Sequence, residues 1–189
     1  ITDLHLNSRV PGLLDAQVEC LCSILGTEQP DEVIVMGDVF MHRKPSPREL
    51  LGFGKFIDKA YDELCAKVCV LRGNHDSENK SDDGITALSV YKDKAKIVTQ
   101  TWFDYKTKRA FIPHYENEDT IKEALARVPK DYTVFGHFGY AGCLNSAGDY
   151  DFSLGLDNFN NTTYLGHIHK FSQKGKVTIL GTPYSTNYG

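Results

Sequence analysis

The alternation of apolar and polar positions along the chain predicts both helices and strands. Leu14, Val18, Leu21 and Leu25 recur at helical spacing, which predicts a helix over residues 13–25. A short apolar run predicts a buried strand over 32–36. Ser46-Pro47-Arg48-Glu49 reads as a capping box with proline in the first turn, opening a helix that runs to about Ala66. Strands are expected over 67–71, 95–98, 101–105 and 109–112, the last two as a hairpin around Lys106-Thr107-Lys108. Residues 117–128 are amphipathic and helical in pattern. Strands over 132–135, 163–165, 171–173 and 177–180 complete the series, with a tight turn at Lys174-Gly175-Lys176.

This early βαβ rhythm followed by strand-rich sequence predicts an α/β fold of two packed β-sheets flanked by helices. The 189 residues fit one domain with a sizeable core. No internal repeat, low-complexity tract or linker interrupts it. The longest irregular stretch, 138–159, carries Gly, Asn and Asp and is expected to be a site loop.

Composition narrows the compartment. Apolar runs are only a handful of residues long, so no transmembrane helix is expected. The chain opens on Ile1-Thr2-Asp3, without Met and without a basic start followed by an apolar stretch. It is therefore expected to lack a signal peptide and to be a fragment or processed chain with its first strand cut short. The five cysteines show no framework spacing, which suits reduced core thiols and a cytoplasmic location. The net charge of −4 speaks against a generally basic nucleic-acid binder. Two divalent cations would cancel that charge, so it weighs little against a phosphate substrate.

Candidate chemistry enters through the histidines. Of seven, five fall in four short patterns: Asp3-Leu4-His5, Gly73-Asn74-His75-Asp76, Gly136-His137 and Gly166-His167-Ile168-His169. His42 follows Gly37-Asp38-Val39-Phe40 closely, and His114 stands apart. Each pattern follows a β-rich apolar run, so each sits where a strand ends. In an open α/β sheet such ends converge on one point. Each pattern taken alone is also a plain turn, since Asn, Asp and Gly favour such positions.

The order of the patterns is more specific. Asp-x-His, Gly-Asp, Gly-Asn-His-Asp, Gly-His and Gly-His-x-His, in that sequence over almost the whole chain, resemble the calcineurin-like metallophosphoesterase superfamily. The resemblance implies a four-layer sandwich and two metal ions. Asp3, His5, Asp38 and His169 would hold one ion, and Asp38, Asn74, His137 and His167 the other. A carboxylate such as Asp38 can bridge two cations, and mixed imidazole and carboxylate ligands suit manganese, iron or zinc; manganese is expected. Such a pair clamps an in-line displacement at phosphorus and activates a bridging water. The resemblance gives His75 a substrate-facing role, protonating the leaving oxygen. Asp76 either holds the His75 tautomer or caps local N–H groups. The glycines before Asp38, Asn74, His137 and His167 are read as residues that let the backbone turn sharply.

Gly37-Asp38-Val39-Phe40 followed by Arg43-Lys44-Pro45-Ser46-Pro47 is similar to the SbcD-type DNA repair nucleases. The Asp-Arg-Gly common in phosphatases of the superfamily is absent. Gly166-His167-Ile168-His169-Lys170 and Gly181-Thr182-Pro183-Tyr184 resemble the same nucleases, the latter closest to phage-type recombination exonuclease subunits. Met41 stands where members often carry His or Asp, and His42 follows one place later. This resemblance implies a 3′-to-5′ exonuclease and single-strand endonuclease acting in double-strand-break repair and recombination, in a bacterial or phage-infected cell. Its partners would be DNA, a second copy of the chain and an SMC-like ATPase of the SbcC type, with no membrane. Members usually continue into a DNA-capping domain and an ATPase-docking segment, expected to be absent from residues 1–189. Substrate contacts are expected from His42, Arg43 and Lys170, with Lys44, Arg48 and Arg72 also near the site. Tyr140 and Tyr184 either stack on a base or pack in the core. His114 is a candidate at the site mouth. Two alternatives remain: another phosphoesterase of the superfamily acting on a nucleotide or phosphoprotein, and a non-enzymatic scaffold.

Overall fold

The computed structural model describes residues 1–143 and 152–185. Its elements follow the apolar periodicity closely. Helix α1 (Leu13–Glu28) buries Val18, Leu21 and Leu25 on one stripe. Strand β1 (Glu32–Val35) alternates half-buried and buried positions. Helix α2 (Pro47–Asp58) starts at a complete capping box, in which Ser46 accepts from the Glu49 N–H and Glu49 accepts from the Ser46 N–H. Such a cap stabilises a helix start by about 1 kcal/mol. The expected helix to Ala66 is cut: the backbone widens into a π-turn at Lys59–Glu63, and Cys65 takes a left-handed φ of 55°.

Three strands, β1, β2 (Lys67–Leu71) and β3 (Lys96–Val98), form one parallel sheet in that order. The second sheet has six strands: β4 (Trp102–Asp104), β5 (Arg109–Ile112), β6 (Thr133–His137), β7 (Thr163–Gly166), β8 (Ser172–Lys174) and β9 (Val177–Ile179). They are ordered β4-β5-β6-β7-β9-β8, parallel from β5 to β9, with an antiparallel hairpin at each edge. Helix α3 (Glu118–Ala126) is capped by Asn117 and is shorter at both ends than its amphipathic pattern.

The strand period of two divides the core. Val33, Val35, Val68 and Val70 face α1 and α2, where Phe53, Phe56 and Leu21 meet them. Ala110, Ile112, Val134 and Leu165 face α3 through Ile121, Ala124 and Leu125. Cys69, Leu71, Val98 and Phe111 fill the space between the sheets. The result is helix, sheet, sheet, helix, and it sends the carboxyl ends of β1, β2, β5, β6 and β7 to one edge.

All five cysteines are free; Cys69 and Cys143 are buried, but Cys65 is exposed rather than in the core. Among the described residues no helix is long and apolar enough to cross a membrane. The expected site loop over 138–159 falls partly outside the described residues, between 144 and 151.

Candidate metal centre

Residues 1–6 run parallel to the chain leaving β1. Asp3 N–H donates to Gly37 O at 3.0 Å and His5 N–H to Asp38 O at 3.0 Å. Gln17 of α1 fixes this segment from behind: its amide donates to Leu4 O (3.3 Å) and His5 O (3.1 Å) and accepts from Asn7 N–H (3.0 Å). Gln17 is a buried polar residue on an otherwise apolar helix face, and that break in the stripe is the signal that would have found it.

Asp3, His5 and His169 bring one ligand atom each to a common point, and Asp38, His137 and His167 do the same beside it. His5 Nε2 and His169 Nε2 stand 3.0 Å apart. Asp3 Oδ1 lies 3.9 Å from the first and 3.8 Å from the second. In the neighbouring group Asn74 Oδ1 lies 3.2 Å from His137 Nε2 and 3.0 Å from His167 Nδ1. Asp38 stands between the groups, with Oδ1 3.3 Å from His137 Nε2 and Oδ2 3.9 Å from His5 Nε2. Imidazole nitrogens and carboxylate and amide oxygens facing one another at these distances can share protons or hold a cation among them. The donor set therefore fits two borderline divalent ions.

The supports around these ligands are equally specific. His137 Nδ1 sits 2.5 Å from Met36 O, which leaves Nε2 for the centre. Asp3 accepts from Thr2 Oγ1 at 2.7 Å and from the His167 N–H at 3.0 Å. Seven non-glycine residues among those described have positive φ, and four of them are Asp3, His5, Asp38 and His167. Left-handed backbone costs an ordinary residue energy, and here it concentrates on the ligands.

The glycines play a different part from the one expected. Gly37 does turn through φ 91°. Gly73 has no positive φ; a Cβ there would lie 2.1 Å from Asp38 Oδ1 and 2.3 Å from Asp38 N. Its small size lets the second loop close onto the first.

Electrostatics follow from burial. Burial lowers His5 to about 4 and His167 to about 3, so both are neutral and ready to ligate near pH 7. Burial raises Asp3, with Asp38 adding to it against the pull of His137. Burial would also raise Asp38, but His137, charged and hydrogen-bonded to it, holds that carboxyl well below its usual range. His137 is opposed by burial yet lifted to about 9 by Asp38. A metal ion would take the place of that proton.

His75 lies at the rim, its ring 5.0 Å from that of His5. Its Nδ1 is 2.7 Å from Met41 O, so Nδ1–H donates there and Nε2 is left for a substrate. Asp76 does not orient this ring. One of its oxygens accepts from the Val39 and Phe40 N–H groups and the other from the Gly73 N–H, tying the Asp38 loop to the Asn74 loop. Burial, then the nearby Asp38, raises its carboxyl to about 7. Of the two roles the residue type suggested, the geometry has the capping one.

The expected substrate contacts divide. His42 is half-buried and near enough to His75 to feel its charge, behind a larger effect of burial and one of Arg9. Lys170 is exposed beside His169. Arg43 is occupied in the protein: Nη1 donates to Asn79 O (2.5 Å) and Ser77 O (3.4 Å), and Nη2 meets Glu116 at 3.3 Å. Lys44 and Arg48 are exposed. Arg72 is fully buried, its Nη2 donating to His114 O at 2.6 Å. Tyr140 is buried against Phe159, and Tyr184 packs on the first core with its hydroxyl on Leu4 O, so both are packing residues. His114 reaches the centre, its ring 5.7 Å from His167 and 6.3 Å from His137. Phe152, which the sequence patterns did not single out, packs edge-on to His167 at 5.5 Å.

Comparison with curated proteins gives no match. The family of calcineurin-like phosphoesterases matches residues 1–171, a span that contains every candidate ligand described above. With that match and two donor groups on either side of Asp38, the chain belongs to the calcineurin-like phosphoesterases and is built for metal-dependent phosphoester hydrolysis.

Proposed function

We propose that the chain is a DNA nuclease, a manganese-dependent phosphodiesterase that removes nucleotides from 3′ ends and cuts single strands. The observation that carries the two-metal chemistry is Asp38, with one oxygen toward each donor group. The DNA assignment is supported by Gly37-Asp38-Val39-Phe40 without a following Asp-Arg-Gly, and by Gly166-His167-Ile168-His169-Lys170.

When bound, two divalent ions supply an activated water and neutralise phosphate oxygens. The residues of the chain do the rest. Asp3, His5, Asp38, Asn74, His137, His167 and His169 hold the pair. His75 holds a proton at Nε2 or accepts one there, within reach of a leaving oxygen above the centre. Lys170 and His42 offer cationic or hydrogen-bonding contacts to the strand backbone; such contacts position without reading sequence. Role in double-strand-break repair, a homodimer and an SbcC-type ATPase partner belong to the same proposal, since end processing requires access to broken duplex.

Incubation of the chain with manganese and a 3′-labelled duplex tests it, with Asp38→Ala as control. Shortening that is lost in the variant supports the nuclease. Hydrolysis of a small phosphodiester or phosphomonoester with no cleavage of duplex or single-stranded DNA assigns another substrate of the same family.

A further inference from the structure

A second cavity lies at the opposite end of the two sheets. Its volume is about 660 Å³, within the range of small-molecule sites. It is lined by the first residues of four strands: Glu32, Lys67, Lys96 and Arg109 open β1, β2, β3 and β5. The metal centre gathers at the carboxyl ends of these sheets. Six residues of extended chain, roughly 20 Å, separate Glu32 from Asp38.

Its floor is apolar and fixed. Cys69 and Phe111 are buried there, and Trp102 stacks on Phe111 with centroids 5.0 Å apart and planes at 18°. That stack continues through Phe135 and Tyr164, at 5.4 and 5.6 Å, across four neighbouring strands. Trp102 is the only tryptophan of the chain and is half-buried at the cavity wall. The Lys96 ammonium lies 4.8 Å from its ring centroid.

The charges are uneven. Arg109 is paired with Glu32 at 2.5 Å, and Lys94 with Asp58 and Asp62. Asp104 accepts from Thr107 Oγ1 and from the N–H groups of Lys106 and Thr107. Lys67, Lys92 and Lys96 have no ion-pair partner among the described residues, and Asp93 and Asp104 are the carboxylates left to face them. Three lysines line the cavity, one of them over the indole, and in a chain of net charge −4 they form a local site for an anion that carries a flat ring.

We propose that this cavity binds a nucleoside phosphate, the base lying on Trp102 and the phosphate between Lys67 and Lys96, as a site separate from the metal centre. A base replaces the ammonium at the indole face, and Lys96 turns to the phosphate. Charge-assisted contacts from two lysines fix the anion, and stacking contributes the rest.

The test uses the metal-free chain in chelator, so that nothing is hydrolysed. Equilibrium dialysis with labelled deoxyadenosine monophosphate measures retention, and Trp102 emission reports the ring contact. Saturable retention with a change in emission is expected. Lys67→Ala with Lys96→Ala should weaken it by about tenfold or more, equivalent to about 1.4 kcal/mol. Asp38→Asn should leave it unchanged, and the double lysine variant should retain metal-dependent hydrolysis. No retention at millimolar ligand overturns the proposal. Retention lost in Asp38→Asn but kept in the lysine variant returns the ligand to the metal centre and overturns it too. Equal retention of deoxyadenosine refutes the phosphate contact, and retention with unchanged emission refutes the stack.

Discussion

His75 donates its backbone N–H to Asp38 Oδ1 at 2.9 Å, while its ring points away to Met41 O. The residue therefore has two separable parts. The amide helps place the carboxylate shared by both donor groups, and the imidazole is free for chemistry.

Replacing the ring should thus leave the centre intact. We expect His75→Ala to bind two metal ions per chain and to lose about 10²- to 10⁴-fold in kcat, the usual worth of a positioned acid or base. Metal content by elemental analysis, beside turnover of a small phosphodiester, checks both halves. Loss of both ions in this variant would refute the role given to the ring.

Asp38 is the opposite case. It turns a different oxygen toward each group, Oδ1 3.3 Å from His137 Nε2 and Oδ2 3.9 Å from His5 Nε2. Asp38→Ala should lower occupancy at both positions together and abolish hydrolysis. His169→Ala, by contrast, should empty one position first, because His169 belongs only to the group with Asp3 and His5. A variant of Asp38 that still holds one ion at full affinity would contradict the shared arrangement.

The strands and the candidate ligand patterns were legible because both are written in short stretches of local sequence. Val33 to Met36 is an unbroken apolar run whose burial alternates, and the patterns at Asp38, Asn74, His137 and His167 each end or follow a strand. Helix limits were less legible: residues 59–66 continue the helical apolar spacing, and nothing in that spacing marks the π-turn at Lys59–Glu63. The part of the site that escaped was made of side chains answering to distant backbone. Asp76 bonds to Val39 and Phe40, and Arg43 to Ser77 and Asn79, contacts across more than thirty residues that no spacing encodes. Phe152 reaches His167 only because the fold returns the chain there.

Gly73 offers a test of close approach as distinct from backbone conformation. A Cβ there would meet Asp38 Oδ1 at 2.1 Å, a contact that cannot persist. We expect Gly73→Ala to displace the shared carboxylate and to weaken metal binding at least tenfold. Gly12→Ala is the contrast: φ is 76° and nothing lies within 4 Å. That variant should cost about 1–2 kcal/mol of stability and leave metal affinity unchanged.

Acid should destabilise the metal-free protein through its buried histidines, and His114 isolates the effect because it is outside the ligand set. Burial lowers His114 to about 4 from an ordinary 6.5, and the neighbouring His137 lowers it further. The unfolded chain then binds a proton between these values that the folded chain refuses, so stability rises with pH across this window and falls as pH drops from 6.5 toward 4. The two other buried histidines, His5 and His167, act with the same sign. His137, raised to about 9, acts oppositely: its contribution is complete below 6.5 and is lost as pH rises through 9. Asp76, raised to about 7, also disfavours folding as pH rises from 3.8 to 7, so the total curve mixes signs. The difference between wild type and His114→Leu leaves the His114 contribution together with the part of the His167 shift that His114 causes, and both have the same sign. We expect the wild type to lose stability relative to the variant by up to about 3 kcal/mol between pH 6.5 and 4, measured by denaturant unfolding in chelator. A difference that stays flat over that window would show that His114 titrates alike in the folded and unfolded chains.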